Sequence, residues 1–212
     1  MENNGNNKKS FRELCDIIAR LRAPDGCPWD REQTHQSLKR HMIEEAYEAA
    51  ETFDGSDGAK MADELGDVLL QVVLHAQIGT EAGEFTIDDV TDAVCNKMIV
   101  RHPHIFGNAS ADTAEQVLDN WEEIKRRERG QKTLFQEMES VSKALPALTR
   151  GEKLYKKAVK AGVCEVPDAE GCGRDIFLAM CKAVDQGLDP EAELVKFLEK
   201  YINFAKKIEE NT

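Results

Sequence analysis

Aromatic residues make up only 6% of the 212 positions, so the interior cannot rest on packed rings. It must be built from Leu, Val, Ile and Ala, as in helical proteins. Positive charge is also in deficit: 28 Lys and Arg face 40 Asp and Glu, a formal charge of −12. A general nucleic-acid binder would carry the opposite, basic footprint. Long apolar runs are missing. The longest, from Val68 to Ala76, is broken by Gln71 and His75 and is too short to span a bilayer, so no membrane partner is expected. The first ten residues are rich in Asn, Gly and Lys and carry no apolar leader, which predicts a cytoplasmic protein. The six cysteines show no C-x-x-C spacing and read as reduced cytosolic thiols. A zinc site from Cys164, Cys172 and Cys181 is disfavoured, because structural zinc takes its ligands in close pairs. Clean two-residue alternation is absent as well, which excludes a sheet. Hydrophobic residues at 41% and charged residues at 32% are enough for a core and exclude disorder. The composition describes an acidic, globular, all-α chain of one large or two small domains.

What is present is helical periodicity. Phe11, Leu14, Cys15, Ile18 and Leu21 follow a 3.6-residue period, and Ser10 with Glu13 forms a capping box. Residues 23–31, with two prolines and a glycine, predict a loop. A second helix is predicted from about Thr34 to Phe53 and a third from about Ala59 to Glu81, joined by an Asp-Gly-Ser-Asp-Gly turn. Thr86 with Asp89 starts a fourth, ending before the turn at 101–107. Thr113 with Gln116 caps a fifth. After a weakly patterned stretch from 131 to Pro146, helices follow at about 147–161, 174–187 and 190–210, the last capped by Asp189 with Pro190 at its first position.

Acidic residues are concentrated. Between Glu44 and Asp67 stand nine carboxylates and one base, Lys60. Acid runs are often solvated helix faces, but here the spacing is specific. Glu44 and Glu48 are four apart and stack, Glu45 lies about 100° around the helix, and Glu64 and Asp67 share a face of the next helix. A hairpin can bring the two sets opposite each other. Carboxylates that converge repel unless a cation neutralises them, and an all-oxygen donor set selects Mg²⁺, Mn²⁺ or Ca²⁺. Gly66, inside the third helix, costs about 1 kcal/mol relative to Ala. Either a close approach by a helix or ligand compensates for it, or it is a tolerated defect.

These residues carry a resemblance. E-E-A-Y-E at 44–48 followed by E-L-G-D at 64–67 resembles the E-E-x-x-E…E-x-x-D pattern of MazG-type nucleoside triphosphate pyrophosphohydrolases. The flanks agree: L-R-x-P-x-G-C-P-W-D at 21–30, K-x-x-x-R-H-P-H-I-F at 97–106 and W-E-x-I-K at 121–125. The similarity runs from about residue 9 to 133. It implies an all-α fold based on a four-helix bundle, usually a homodimer, and Mg²⁺-dependent hydrolysis of nucleoside triphosphates to monophosphate and pyrophosphate, with Mn²⁺ as a substitute. By motif position, Glu45, Glu48, Glu64 and Asp67 would hold metal, and Glu44 or Glu45 would serve the attacking water. Lys60, Lys97, Arg101 and Trp121 fall where relatives contact the nucleotide. Lys97 and Arg101, four apart on one face, suit a polyphosphate. Read without the family, the pair is as readily a solvated basic pair as a phosphate cradle, and a lone tryptophan such as Trp121 either stacks on a base or, more often at helical spacing, belongs to a core. His102 and His104 flank Pro103, where they either touch phosphate or shape the turn. Apolar residues nearly consecutive from Val68 to Leu74 predict the dimer interface.

The tail from 134 to 212 resembles a shortened, degenerate second copy. Residues 168–180 align with 61–73 when Gly173 matches Gly66, which puts Gly171 at the place of Glu64 and Arg174 at that of Asp67. On this register the tail lacks the acids for a comparable metal site. Two other functions compete with hydrolysis. A silent nucleotide-binding regulator is opposed by the intact acids. A di-iron bundle needs two Glu-x-x-His elements, and this chain has one, Glu32 to His35.

Overall fold

The computed structural model describes residues 8–163, 165–168 and 170–210. Cys164, one of the cysteines considered above, lies outside them. All regular structure in the described residues is helical: α1 (Phe11–Arg22), α2 (Pro28–Glu32), α3 (His35–Thr52), α4 (Gly58–Ala82), α5 (Ile87–Arg101), α6 (Pro103–Phe106), α7 (Ala114–Glu128), α8 (Leu134–Glu139), α9 (Ala147–Lys160), α10 (Cys172–Asp185) and α11 (Pro190–Glu210). No helix among the described residues is long and apolar enough to cross a membrane.

The caps form as the sequence predicts. Ser10 Oγ accepts from the Glu13 amide at 3.2 Å while the Glu13 carboxylate accepts from the Ser10 amide at 2.8 Å. Thr86 and Asp89 repeat the arrangement at α5, and Asp189 accepts from the amides of Glu191 and Ala192 at α11. Three short helices depart from the expectation. α2 and α6 occupy stretches predicted as loop and turn, because Pro28 and Pro103 stand at the first helical position, where a missing amide hydrogen costs nothing. α8 arises in the weakly patterned stretch through a Thr133–Gln136 capping box.

The chain divides into two compact units, Met1–Ala109 and Ser110–Thr212. In the first, α3 and α4 form a tightly packed hairpin, and α1 and α5 also pack on α4. The core gathers Ile18 from α1, Leu38 from α3 and Val73 and Leu74 from α4, with Leu14, Leu70 and Ile78 against it. Val73 and Leu74, part of the predicted interface, are thus buried within the chain. Leu65 and Leu69 of α4, Ile43 and Tyr47 of α3, and Val94, Ile99 and Val100 of α5 remain exposed.

Two long-range polar contacts fix this unit. Arg22 closes α1 with a side chain only 5% exposed. Its Nε and Nη2 donate to the Glu81 carboxylate of α4 at 2.9 and 2.7 Å, and its Nη1 donates to the carbonyls of Asp30 and Gln33. The intervening loop turns back at Gly26, where a Cβ would collide with the Leu21 carbonyl oxygen. The second contact joins His35 of α3 to His75 of α4. The rings are parallel within 4°, with centroids 5.0 Å and Nδ1 atoms 2.7 Å apart, so they lie edge to edge across one N–H···N bond. His35 Nε2 is buried without a partner. The neutral pair therefore carries the shared proton on His35 Nδ1, leaving a bare lone pair at Nε2 instead of a buried N–H.

A proton added to His75 crowds the 2.7 Å gap to the His35 N–H. Burial, followed by the charge of His35, holds His75 below the usual histidine value. The unfolded chain then binds more protons, so this contribution is complete above about pH 6.5 and is lost as pH falls toward the folded value. Between pH 7.5 and 5.5 the thermal midpoint of the wild type is expected to fall further than that of His75→Gln. Parallel pH profiles would contradict the shared-proton arrangement.

In the second unit, α9 packs on α8, α10 and α11, with Val141, Met180 and Cys181 buried. Among the apolar residues of the tail, Phe177 is half-buried and meets Tyr155 edge-on. Ile176, Leu194, Phe197, Leu198 and Tyr201 are exposed.

Candidate active site

The α3–α4 hairpin builds the site. α4 starts at Asp57, whose carboxylate caps the amides of Ala59 and Lys60 at 3.0 and 3.1 Å. This fixes the register that brings Glu64 opposite α3. Glu45, Glu48 and Glu64 come together, each offering an oxygen within 4.8 Å of the others. Glu45 and Glu64 are half-buried and Glu48 is exposed. Burial first, then the negative charges of Asp67, Glu48 and Glu64, raise the Glu45 carboxyl above its ordinary value. Asp67 is outside the three-residue group, yet it heads the charges acting on Glu45. A trio that makes one member hard to ionise is suited to a cation. The donors are oxygen alone, which fits Mg²⁺ or Mn²⁺ and not a thiolate- or imidazole-loving metal.

Glu44 faces a different environment. Its carboxylate accepts from Arg40 Nε at 2.6 Å and lies 3.5 Å from His41 Nδ1. Arg40 is 85% exposed, so this pair is a screened surface contact of little energetic weight. Lys60 is exposed on the first turn of α4, Lys97 is exposed on α5, and Arg101 is half-buried in its last turn. His102 Nδ1 contacts the Met98 carbonyl at 2.6 Å. Trp121 is half-buried on α7, in the second unit. Sequence reasoning gave Arg22 and His75 no role and named His35 only in the Glu32–His35 element. The only signal for Arg22 was its place in the L-R-x-P motif.

Gly66, between Glu64 and Asp67, has no neighbour within 4 Å of where a Cβ would stand. Among the described residues of the first unit, no helix makes the close approach that would require a glycine. Gly66→Ala is therefore expected to stabilise the protein by about 1 kcal/mol, read as a higher thermal midpoint. A lower midpoint would mean that something absent from the single chain fills that space.

Comparisons with known proteins identify a family for the same stretch of chain. Residues 33–106, which span α3 to α6, match the MazG nucleotide pyrophosphohydrolase domain. The chain is 37% identical over 224 residues to the nucleoside triphosphate pyrophosphohydrolase/pyrophosphatase MazG of Thermotoga maritima, covering 94% of this chain and 86% of that one. It is 52% identical over 146 residues to YabN of Bacillus subtilis, covering 69% of this chain and 30% of YabN. It is 40% identical over 150 residues to the nucleoside triphosphate pyrophosphohydrolase of Escherichia coli, covering 70% of this chain and 57% of that protein. The chain thus spans less than two thirds of the latter two relatives. These matches place the chain with hydrolases that act on acid anhydrides. It belongs to the MazG family.

Proposed function

We propose that the chain hydrolyses nucleoside triphosphates to monophosphate and pyrophosphate with Mg²⁺, or Mn²⁺ in its place. The observation that carries this reading is the convergence of Glu45, Glu48 and Glu64 on one hairpin. With Asp67 beside them, they would hold the metal. Bound there, Mg²⁺ would offset phosphate charge and acidify a water molecule. Glu44, outside the cluster and only weakly engaged by Arg40, is the carboxylate left to orient or deprotonate that water. Lys97 and Arg101 share a face of α5 and would position the polyphosphate, with Lys60 at the hairpin turn.

The domain proposed for this chemistry runs from 9 to 133. The tail from 134 is proposed as a degenerate copy, with Gly171 at the N-cap of α10 and Arg174 in its first turn. A homodimer is proposed as the working unit, supported by the exposed apolar side chains of α3, α4 and α5.

The test is a panel of standard, deoxy and damaged nucleoside triphosphates assayed with Mg²⁺, with the products identified. Monophosphate plus pyrophosphate, abolished by chelation, is expected. Diphosphate plus phosphate, or turnover unaffected by chelator, would overturn the proposal.

A further inference from the structure

The second unit contains a cavity of about 530 Å³ between α8, α9, α10, Val163 and residues 165–167. That volume is in the range of small-molecule sites. Leu134, Met138, Leu154, Val166 and Phe177 line it, so an occupant meets mostly hydrocarbon. The wall is fixed in place. Tyr155, also lining it, donates its hydroxyl to the Asp185 carboxylate at 2.9 Å, and its ring meets Phe177 edge-on at 6.3 Å and 88°.

Two charged residues border this apolar space. Glu165 is exposed, so water screens its charge. Arg174 is half-buried, and its Nε is cut off from solvent with no hydrogen-bond partner. A buried guanidinium N–H left unpaired is costly. Nε is closed to the cavity too, so the outer nitrogens of this guanidinium, its charge met by no ion pair among the described residues, are the ones that would meet a carboxylate. A nucleoside triphosphate, with several negative charges on a polar body, is poorly matched to one arginine in a hydrocarbon wall.

We propose that this cavity is a binding site for a small apolar carboxylate, with Arg174 holding the carboxylate and the apolar body lying against Tyr155, Phe177 and Leu154. The site is separate from the acidic hairpin and does not depend on the hydrolytic reading.

Calorimetric titration of the full chain with 2-naphthoate, and with the neutral 2-naphthylmethanol, tests it. The expected result is saturable binding of one naphthoate per chain. Arg174→Gln should weaken naphthoate by about tenfold or more while leaving naphthylmethanol unchanged. Ala158→Trp, which fills the cavity, should remove both. A second measurement needs no variant: naphthoate should shift the methyl resonance of Met138 and leave those of Met42 and Met61 in place. The proposal fails if naphthoate does not saturate, if Arg174→Gln binds it as the wild type does, if folded Ala158→Trp still takes it up, or if Met42 and Met61 shift instead.

Discussion

Glu48→Gln and Glu64→Gln are each expected to reduce Mg²⁺-dependent turnover by a factor on the order of 10³ or more, with the helical fold intact. Each replacement removes one charged oxygen from a group whose ligand atoms lie within 4.8 Å of one another, while volume and helix propensity hardly change. Without metal the variants should be no less stable than the wild type. Glu48 and Glu64 both push the Glu45 carboxyl upward, so removing either charge relieves repulsion. Loss of stability together with loss of activity would point to a structural role instead. Wild-type rates in both variants would remove the acidic hairpin from the chemistry. Pyrophosphate release and far-ultraviolet circular dichroism on the same samples separate these results.

Arg22→Met is expected to cost about 2–3 kcal/mol of folding stability, measured by urea denaturation. The side chain is 5% exposed and joins α1, α2 and α4 through Asp30, Gln33 and Glu81. Methionine fills the space but leaves two backbone carbonyls without this donor. Most of the loss should arise there, because Glu81 is 38% exposed and its charge is partly screened. Glu81→Gln, which still accepts from Arg22, should cost less than 1 kcal/mol. The hydrogen bond from Arg22 holds the Glu81 carboxyl below its ordinary value. Its contribution is present above about pH 4.3 and is lost as pH falls through the folded value. A cost below about 0.5 kcal/mol for Arg22→Met would show that the loop is held by something else.

The features legible in the sequence are those that local spacing encodes. Ser10 with Glu13, Thr86 with Asp89, and Asp189 with Pro190 announce helix starts because each cap is completed within three residues. Glu45, Glu48 and Glu64 were legible for the same reason: helical period places the first two, and one short turn brings the third across. Proline misled the reading at 28 and 103, since it begins a helix as readily as it ends one. Contacts without a period stayed hidden. Arg22 finds Glu81 across 59 residues and His35 finds His75 across 40, and nothing in either neighbourhood names its partner. The cavity at Arg174 needs three helices and a loop to exist at all, so residue order gives no hint of it.

The acidic hairpin also has a kinetic consequence. The carboxylates proposed to hold metal fall between positions 45 and 67 on two helices joined by a short turn, so the cluster has very low contact order. Such local pairings close in microseconds, before slower long-range docking. At neutral pH a nascent hairpin would bring carboxylates together before α1, with Arg22, arrives to brace α4. A divalent cation captured then favours the closed hairpin over the open chain. The same ion would thus act during folding as a ligand of the nucleus, and refolding in Mg²⁺ should be faster than refolding in chelator.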